Sequence, residues 1–158
     1  IDALLSNYRP DSTLELFNLF RKKLGTGDHE RDVMLLNLTR RYLSILILSR
    51  GQILFYRCKP RSSEPEGGSD LAGLRREIYT SLAFYQEKLL GRGIGRAWLR
   101  AAGLEQAPIV DAVAAEAGCP VELLRLGDVL NGEESVKLAG LEADLAAPSV
   151  GAAAGRLP

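Results

Sequence analysis

Three apolar runs follow one another early in the chain, and they constrain the fold more than any other feature. They span Val33 to Leu38, Tyr42 to Leu48 and Ile53 to Cys58. Each run has the length of a strand and is rich in aliphatic, β-branched or aromatic residues, which favour a pleated sheet. Only a short polar turn separates each run from the next, and Gly51 can supply the positive φ of a tight hairpin. The runs therefore predict three sequential strands in a meander.

Helical and strand patterns alternate on either side of this meander. Apolar residues at steps of three and four predict a long helix from Leu71 to Leu89, which Gly91 would end. The other predicted elements are a helix over 14–24, a strand over 94–99, a helix from Pro108 to about Ala117, a strand over 121–124 and a packed tail helix over 148–156. This order predicts an α/β fold with a mixed five-stranded sheet flanked by helices, and it resembles the ribonuclease-H-like half-domain.

Composition excludes several classes of function. Of the 158 residues, 46% are apolar and 25% charged, and 20 basic residues balance 20 acidic ones. This balance is typical of globular proteins, and it lacks the positive excess of a nucleic-acid-binding protein. Cys58, Cys119 and the lone His29 do not supply a zinc site, and we expect both cysteines to be reduced, partly buried thiols. No apolar run approaches the roughly 20 residues that span a bilayer.

Signals of catalysis are weak. His29 has no visible Ser, Cys or Asp partner for a triad, and no carboxylates are paired with a defined geometry. A metabolic enzyme is therefore not favoured. Trp98 lies inside a predicted strand and is expected in the core, whereas Phe84 lies off the apolar stripe of its helix and is a candidate exposed anchor.

Several local patterns recur in a fixed order along the chain, over 76–86, 97–103, 107–110, 118–124 and 147–155. Together they resemble the PilM family of type IV pilus assembly proteins, whose fold is similar to actin and to the cell-division ATPase FtsA. The resemblance implies the C-terminal half of an actin-like fold. Residues 1–31 would then be the end of a preceding subdomain, and residues 32–158 an actin-like subdomain. A flexible Pro-, Gly- and Ser-rich linker over 60–70 would stand in place of the subdomain that the family inserts there.

The resemblance also implies where a nucleotide would lie. Actin-like ATPases have an Asp- and Gly-rich turn after the first strand, where this chain has Asn37 followed by Leu38, Thr39 and Arg40. An amide is a poorer magnesium ligand than a carboxylate, so the turn indicates weakened binding. Arg40 could pair with phosphate or only face solvent. Ala102 and Gly103 correspond to the Gly-Gly pair of the adenosine loop, and tight loop packing explains them equally well.

Three functions follow as expectations from this resemblance. The first is a cytoplasmic scaffold subunit, peripheral at the inner membrane, that binds a PilN-like cytoplasmic tail within a pilus or secretion platform. It would have no cofactor, or would bind ATP with magnesium weakly. The second is a working ATP-binding actin-like protein, in which hydrolysis would be slow or absent. The third is the cytoplasmic domain of a type II secretion platform subunit. Self-association of the chain is left open.

Overall fold

The computed structural model describes residues 13–14, 16–18, 21, 30–61 and 70–125. The chain divides into two compact units, one of residues 1–26 with 124–158 and one of residues 27–123. In the first unit, positions 13, 14, 16–18 and 21 are helical, and Leu16 is fully buried. The rest of that predicted helix, His29, positions 62–69 of the predicted linker and the predicted tail helix lie outside the described residues.

Five strands and two helices make up the second unit. They are β1 (Asp32–Leu38), β2 (Tyr42–Ser49), β3 (Gln52–Pro60), α1 (Leu71–Lys88), β4 (Ile94–Ala101), α2 (Gln106–Ala117) and β5 (Val121–Leu123). The strand order is β3-β2-β1-β4-β5. β2 pairs antiparallel with β1 and β3, whereas β4 pairs parallel with β1 and β5. The mixed five-stranded sheet predicted from the sequence is therefore confirmed.

Both faces of the central strands are buried. Leu36 of β1 and Ile45 of β2 pack with the helical residue Ile78 in the main core cluster. The alternate residues point to the opposite face, yet Leu46 and Trp98 are buried as well. Strands buried on both sides carry continuous apolar runs instead of alternating ones, which is why the sequence signal here was strong. Trp98 is in the core, as predicted.

The hairpin between β2 and β3 uses two residues with positive φ. Gly51 has φ 79° and Arg50 has φ 51°. Consecutive positive values match a two-residue turn whose twist suits the flanking strands. β3 then continues until Pro60 pairs with Tyr42. The first residue of the predicted linker thus belongs to the strand, which corrects that boundary.

The two ends of the long helix α1 are fixed by different local features. The Asp70 carboxylate accepts a hydrogen bond from the Gly73 amide at 2.8 Å and so caps the first turn. The helix ends at Lys88, and Leu90, not Gly91, has the positive φ of 53°. Gly91 is needed for another reason, because a Cβ there would lie 2.1 Å from the Tyr85 ring. Gly91 was predicted to end the helix, but the close approach of the Tyr85 ring is what requires a glycine at this position.

Candidate functional site at the carboxyl ends of β1 and β4

The sheet brings the two predicted halves of the nucleotide site to one edge. β1 and β4 are parallel neighbours, with Asn37 opposite Arg100 and Leu38 opposite Ala101. The turn that follows β1 and the loop that follows β4 therefore leave the sheet side by side. Ligands of open α/β sheets bind at such carboxyl ends. Thr39 and the loop residues Ala102 and Gly103, far apart in sequence, lie at this common edge.

Asn37 is held inside the protein. Its side chain is fully buried, and its Oδ1 accepts a hydrogen bond from Arg100 Nη1 at 2.8 Å. Its Nδ2 donates to the Tyr42 hydroxyl at 3.4 Å. Arg100 is itself only 3% exposed. A fixed guanidinium thus occupies the oxygen that the resemblance would give to a metal ion, and its positive charge opposes a cation there.

The turn after β1 is closed by its own side chain. Thr39 Oγ1 accepts hydrogen bonds from the amides of Arg41 and Tyr42, at 3.2 and 3.1 Å. The Thr39 amide donates to the Tyr42 carbonyl at 3.0 Å. Three of the four amides from Thr39 to Tyr42 are therefore used within the turn. A phosphate-binding turn needs amides that point outward, and this one keeps few.

Basic side chains surround this turn. Arg40 is exposed at its tip. Arg61 reaches back from beyond β3 and donates to the Thr39 carbonyl at 2.8 Å. Within the described ranges, no group of three or more His, Cys, Asp or Glu side chains is arranged to hold a metal ion. The edge could therefore attract an anion, but it does not offer a carboxylate cluster to a cation.

The loop after β4 is compact and partly open. Ala102 is buried, and Gly103 has φ 70° with open space where a Cβ would be. α2 begins directly afterwards, and its N-cap residue Glu105 makes no side-chain hydrogen bond to the helix. Pro108 falls in the first turn of α2, where its missing amide hydrogen costs little, as the sequence predicted. The positive φ of Gly103 explains a glycine here without a ligand.

Sequence reasoning missed a polar row across this end of the sheet. Strand register places Cys58, Ser44, Asn37 and Arg100 side by side on four neighbouring strands. Ser44 is fully buried, and its hydroxyl has no hydrogen-bond partner among the residues that the structure describes. Arg100 could have been noticed, because a basic residue directly after the apolar residues Trp98 and Leu99 is uncommon in a core strand. Cys58 is partly buried and a free thiol, as expected.

A second buried polar cluster lies at the opposite end of β1. The Asp32 carboxylate is 1% exposed and accepts hydrogen bonds from the Tyr85 hydroxyl and from Arg92 Nη2, the latter at 2.8 Å. Arg92 also donates to the Ser49 hydroxyl at 3.2 Å. The Gly93 amide donates to the Tyr85 hydroxyl at 3.1 Å. The cluster joins β1, β2, α1 and the segment before β4.

Charge and burial shift the pKa values in this cluster. Burial alone would raise the pKa of Asp32, but hydrogen bonds from Tyr85, Ser49 and Arg92 outweigh it and lower that pKa below its usual value. Burial, together with the hydrogen bond to the Asp32 carboxylate, raises the pKa of Tyr85 well above its usual value. Asp32 is thus a charged acceptor and Tyr85 a neutral donor. The pair is structural, because its groups satisfy one another.

Comparison with known proteins gives a likeness of fold. No protein-family model matches the sequence, and no curated protein matches it. Among solved structures, a PilM-PilN type IV pilus biogenesis complex matches with a TM-score of 0.69 and 15% identity, over 93% of this chain and 52% of that one. A Bacteroides thetaiotaomicron protein with an actin-like ATPase fold and unknown function gives a TM-score of 0.48 and 12% identity, over 82% of this chain and 45% of that one.

The similarity to PilM shows the fold. The chain has the fold of half of an actin-like ATPase, and its second unit holds the mixed five-stranded sheet with flanking helices. The chain spans about half the length of the PilM chain that it matches. Among the described helices, none is both long and apolar enough to cross a membrane.

Proposed function

We propose that the chain is a cytoplasmic scaffold subunit at the inner-membrane platform of a type IV pilus or a related secretion system, with weak or lost nucleotide binding. The observation that carries the proposal is the similarity of fold to PilM, a protein solved in complex with PilN. By that similarity, the partner would be the cytoplasmic tail of a PilN-like membrane protein. The predicted division at residues 31 and 32 and the inner-membrane location belong to the same proposal.

The geometry of the turn after β1 supports the loss of nucleotide binding. A metal-bound triphosphate needs an oxygen ligand for the ion and outward-pointing amides for the phosphates. Asn37 Oδ1 already accepts from Arg100, and most amides of the turn are bonded to Thr39 or Tyr42. Freeing Asn37 Oδ1 would take a buried acceptor from Arg100, at about 1–3 kcal/mol. Nucleotide binding would have to offset that cost.

One observation favours the alternative, a working nucleotide-binding protein. The predicted residues of the two loops do meet at the carboxyl ends of adjacent parallel strands, where such ligands bind. Arg40 is exposed there and can pair with a phosphate without disturbing the turn. The two proposals therefore differ in a measurable quantity, the stabilisation by ATP.

Genetics tests the scaffold role. In the organism that encodes the chain, disruption of its gene should abolish surface pili or secretion, and the intact gene should restore them. A pull-down from the same cells should recover an inner-membrane protein with a short cytoplasmic tail. Normal piliation and secretion in the disrupted strain would overturn the proposal.

Thermal unfolding with and without ATP and magnesium tests the nucleotide part. A ligand at a hundred times its Kd stabilises the native state by about 2.7 kcal/mol, which is a clear rise in Tm. We expect no rise. A rise that Arg40→Glu removes, but that the distant substitution Asp111→Ala leaves in place, would establish the alternative.

A further inference from the structure

Among the described strands, β3 forms one edge of the sheet. Within the described part of the chain, it pairs with β2 alone. It is nine residues long, whereas β5 at the other edge has three. Proteins usually shorten or charge their edge strands, because unpaired backbone groups attract other strands. A long edge whose first half is apolar departs from that pattern.

The side chains of β3 divide into two sets by strand register. Ile53 lies opposite Leu48 and Tyr56 opposite Leu46, on the face away from α1 and α2. Ile53 is 46% exposed and Tyr56 36%. An added strand would cover apolar surface on this face. The gain would be about 25 cal/mol for each Å² removed from water.

The other set faces α1 and is basic. Phe55 packs on Phe84 of α1 with 5.9 Å between ring centroids, and Arg57 and Lys59 follow at every second position. Arg57 and Lys59 share a single carboxylate, that of Glu77, at 3.5 and 3.2 Å. β3 itself contains no acidic residue. Positive charge is therefore in excess along the second half of this edge.

A shallow pocket of about 180 Å³ extends this basic set. It lies between the end of β3 and the start of α1, over the apolar Leu74, and Lys59, Arg61 and Arg76 line it. Asp70 and Glu77 also line it, but the Asp70 carboxylate caps α1 and the Glu77 carboxylate pairs with Arg57 and Lys59. An incoming carboxylate would meet mostly positive partners here.

We propose that β3 binds an extended segment of a partner protein in which apolar and acidic residues alternate. Successive side chains of a strand point to opposite faces, so the apolar set would contact Ile53 and Tyr56 while the acidic set faces Arg57 and Lys59. A second copy of β3 fits less well, because it would bring more positive charge and no carboxylate. The inference does not depend on the proposed pilus role, since it concerns only the isolated chain.

A labelled synthetic peptide of alternating valine and glutamate, as long as β3, is the probe. Fluorescence anisotropy with the full chain should show saturable binding. A peptide of alternating valine and lysine should bind about tenfold more weakly or not at all, because charge complementarity is reversed. The valine–glutamate peptide with alternate amides N-methylated should also fail, because it cannot add to the sheet.

Matched variants locate the binding. Lys59→Gln and Ile53→Ser should each weaken binding of the valine–glutamate peptide by about threefold. The first removes a basic contact and the second an apolar one. Tyr79→Ser is the control. Tyr79 is a 67% exposed aromatic on α1, and it lies on another side of the helix from Glu77, which contacts β3. Circular dichroism of each variant checks that the fold is kept.

Three results would overturn the inference. These are the absence of saturable binding, equal binding of the lysine peptide, and a loss with Tyr79→Ser as large as with Ile53→Ser. Sedimentation gives an independent check. A dimer of the chain that Ile53→Ser abolishes would assign the edge to a second copy and would also overturn the proposed partner.

Discussion

The two ends of β1 each place a polar side chain against an arginine. At the first residue this side chain is a charged carboxylate, and near the last residue it is a neutral amide. Asp32 is 1% exposed beside Arg92, which is 30% exposed, whereas Asn37 and Arg100 are both almost fully buried. The Asp32 end uses a charged acceptor with several donors and ties four segments together. The Asn37 end lies where ligands of such sheets bind, yet its polar groups are turned inward. Position in the fold therefore does not decide function, because the partners of each side chain do.

Removal of the carboxylate should give the largest effect. Asp32→Ala would leave the Tyr85 hydroxyl without its acceptor and would remove the carboxylate that pairs with Arg92, and we expect a loss of about 3 kcal/mol in the free energy of unfolding. Urea unfolding measures the loss. Asp111→Ala, at an exposed position of α2, is the matched control and should change the free energy of unfolding by no more than about 0.5 kcal/mol. A loss at Asp32 as small as that would refute the structural role of the cluster.

Two glycines extend the comparison to the loops at each end. In Gly91→Ala the new Cβ would collide with the Tyr85 ring, and we expect a cost of about 2 kcal/mol from overpacking. In Gly103→Ala the Cβ meets open space, so only the positive φ is strained, at about 1 kcal/mol. Thermal or urea unfolding of both variants checks the order. Equal costs would mean that the Tyr85 ring moves aside.

Acid should affect the two ends of β1 differently, because Asp32 has a carboxyl group that titrates at low pH and Asn37 has none. The pKa of Asp32 is lowered in the folded state, so its stabilisation is present above the unfolded-state value of about 3.9 and is lost as pH falls through the folded pKa. The difference in free energy of unfolding between wild type and Asp32→Asn should therefore shrink below about pH 4. The difference for Asn37→Ala should stay constant. Urea titrations at a series of pH values measure both.

Loss of a serine hydroxyl should change the free energy of unfolding least, and with opposite sign at the two ends of β1. Ser44 lies beside Asn37, and its buried hydroxyl has no partner within the described part of the chain, so Ser44→Ala should stabilise by about 0.5–1 kcal/mol. Ser49 accepts a hydrogen bond from Arg92, and Ser49→Ala should destabilise by about 0.5 kcal/mol. Urea unfolding of the two alanine variants compares them. A destabilising Ser44→Ala would show that the hydroxyl has a partner.

The elements of the fold could be predicted because their signals are local. β1 and β2 are buried on both faces, so their apolar runs are continuous, and α1 buries one side, so its period is regular. The strand ends were less accurate, since pairing with Tyr42 carries β3 through Pro60. Pairing is a property of two segments, and one segment alone cannot show it.

The polar clusters could not be predicted, because their members come from distant parts of the chain. Asp32 precedes an apolar run and resembles an ordinary turn residue until Tyr85 and Arg92 are placed around it. Arg100 reaches Asn37 only through the parallel pairing of β4 with β1. The resemblance gave the location of the predicted site, but it could not give the partner of Asn37. The ligand-binding role of Asn37, Thr39, Arg40, Ala102 and Gly103 remains a prediction.

The order of strands in the sheet also implies an order of events when the chain folds. β1, β2 and β3 are joined by short turns, so they can pair after closing only small loops. The linker and α1 separate β4 from the meander in sequence, so the pairing of β4 with β1 is a distant contact, and such contacts form slowly. In pulse-labelling hydrogen exchange, the amides of the meander should become protected before those of β4 and β5. The edge strand would then be paired while two of the five described strands are still missing, which gives a partner segment an early opportunity to bind.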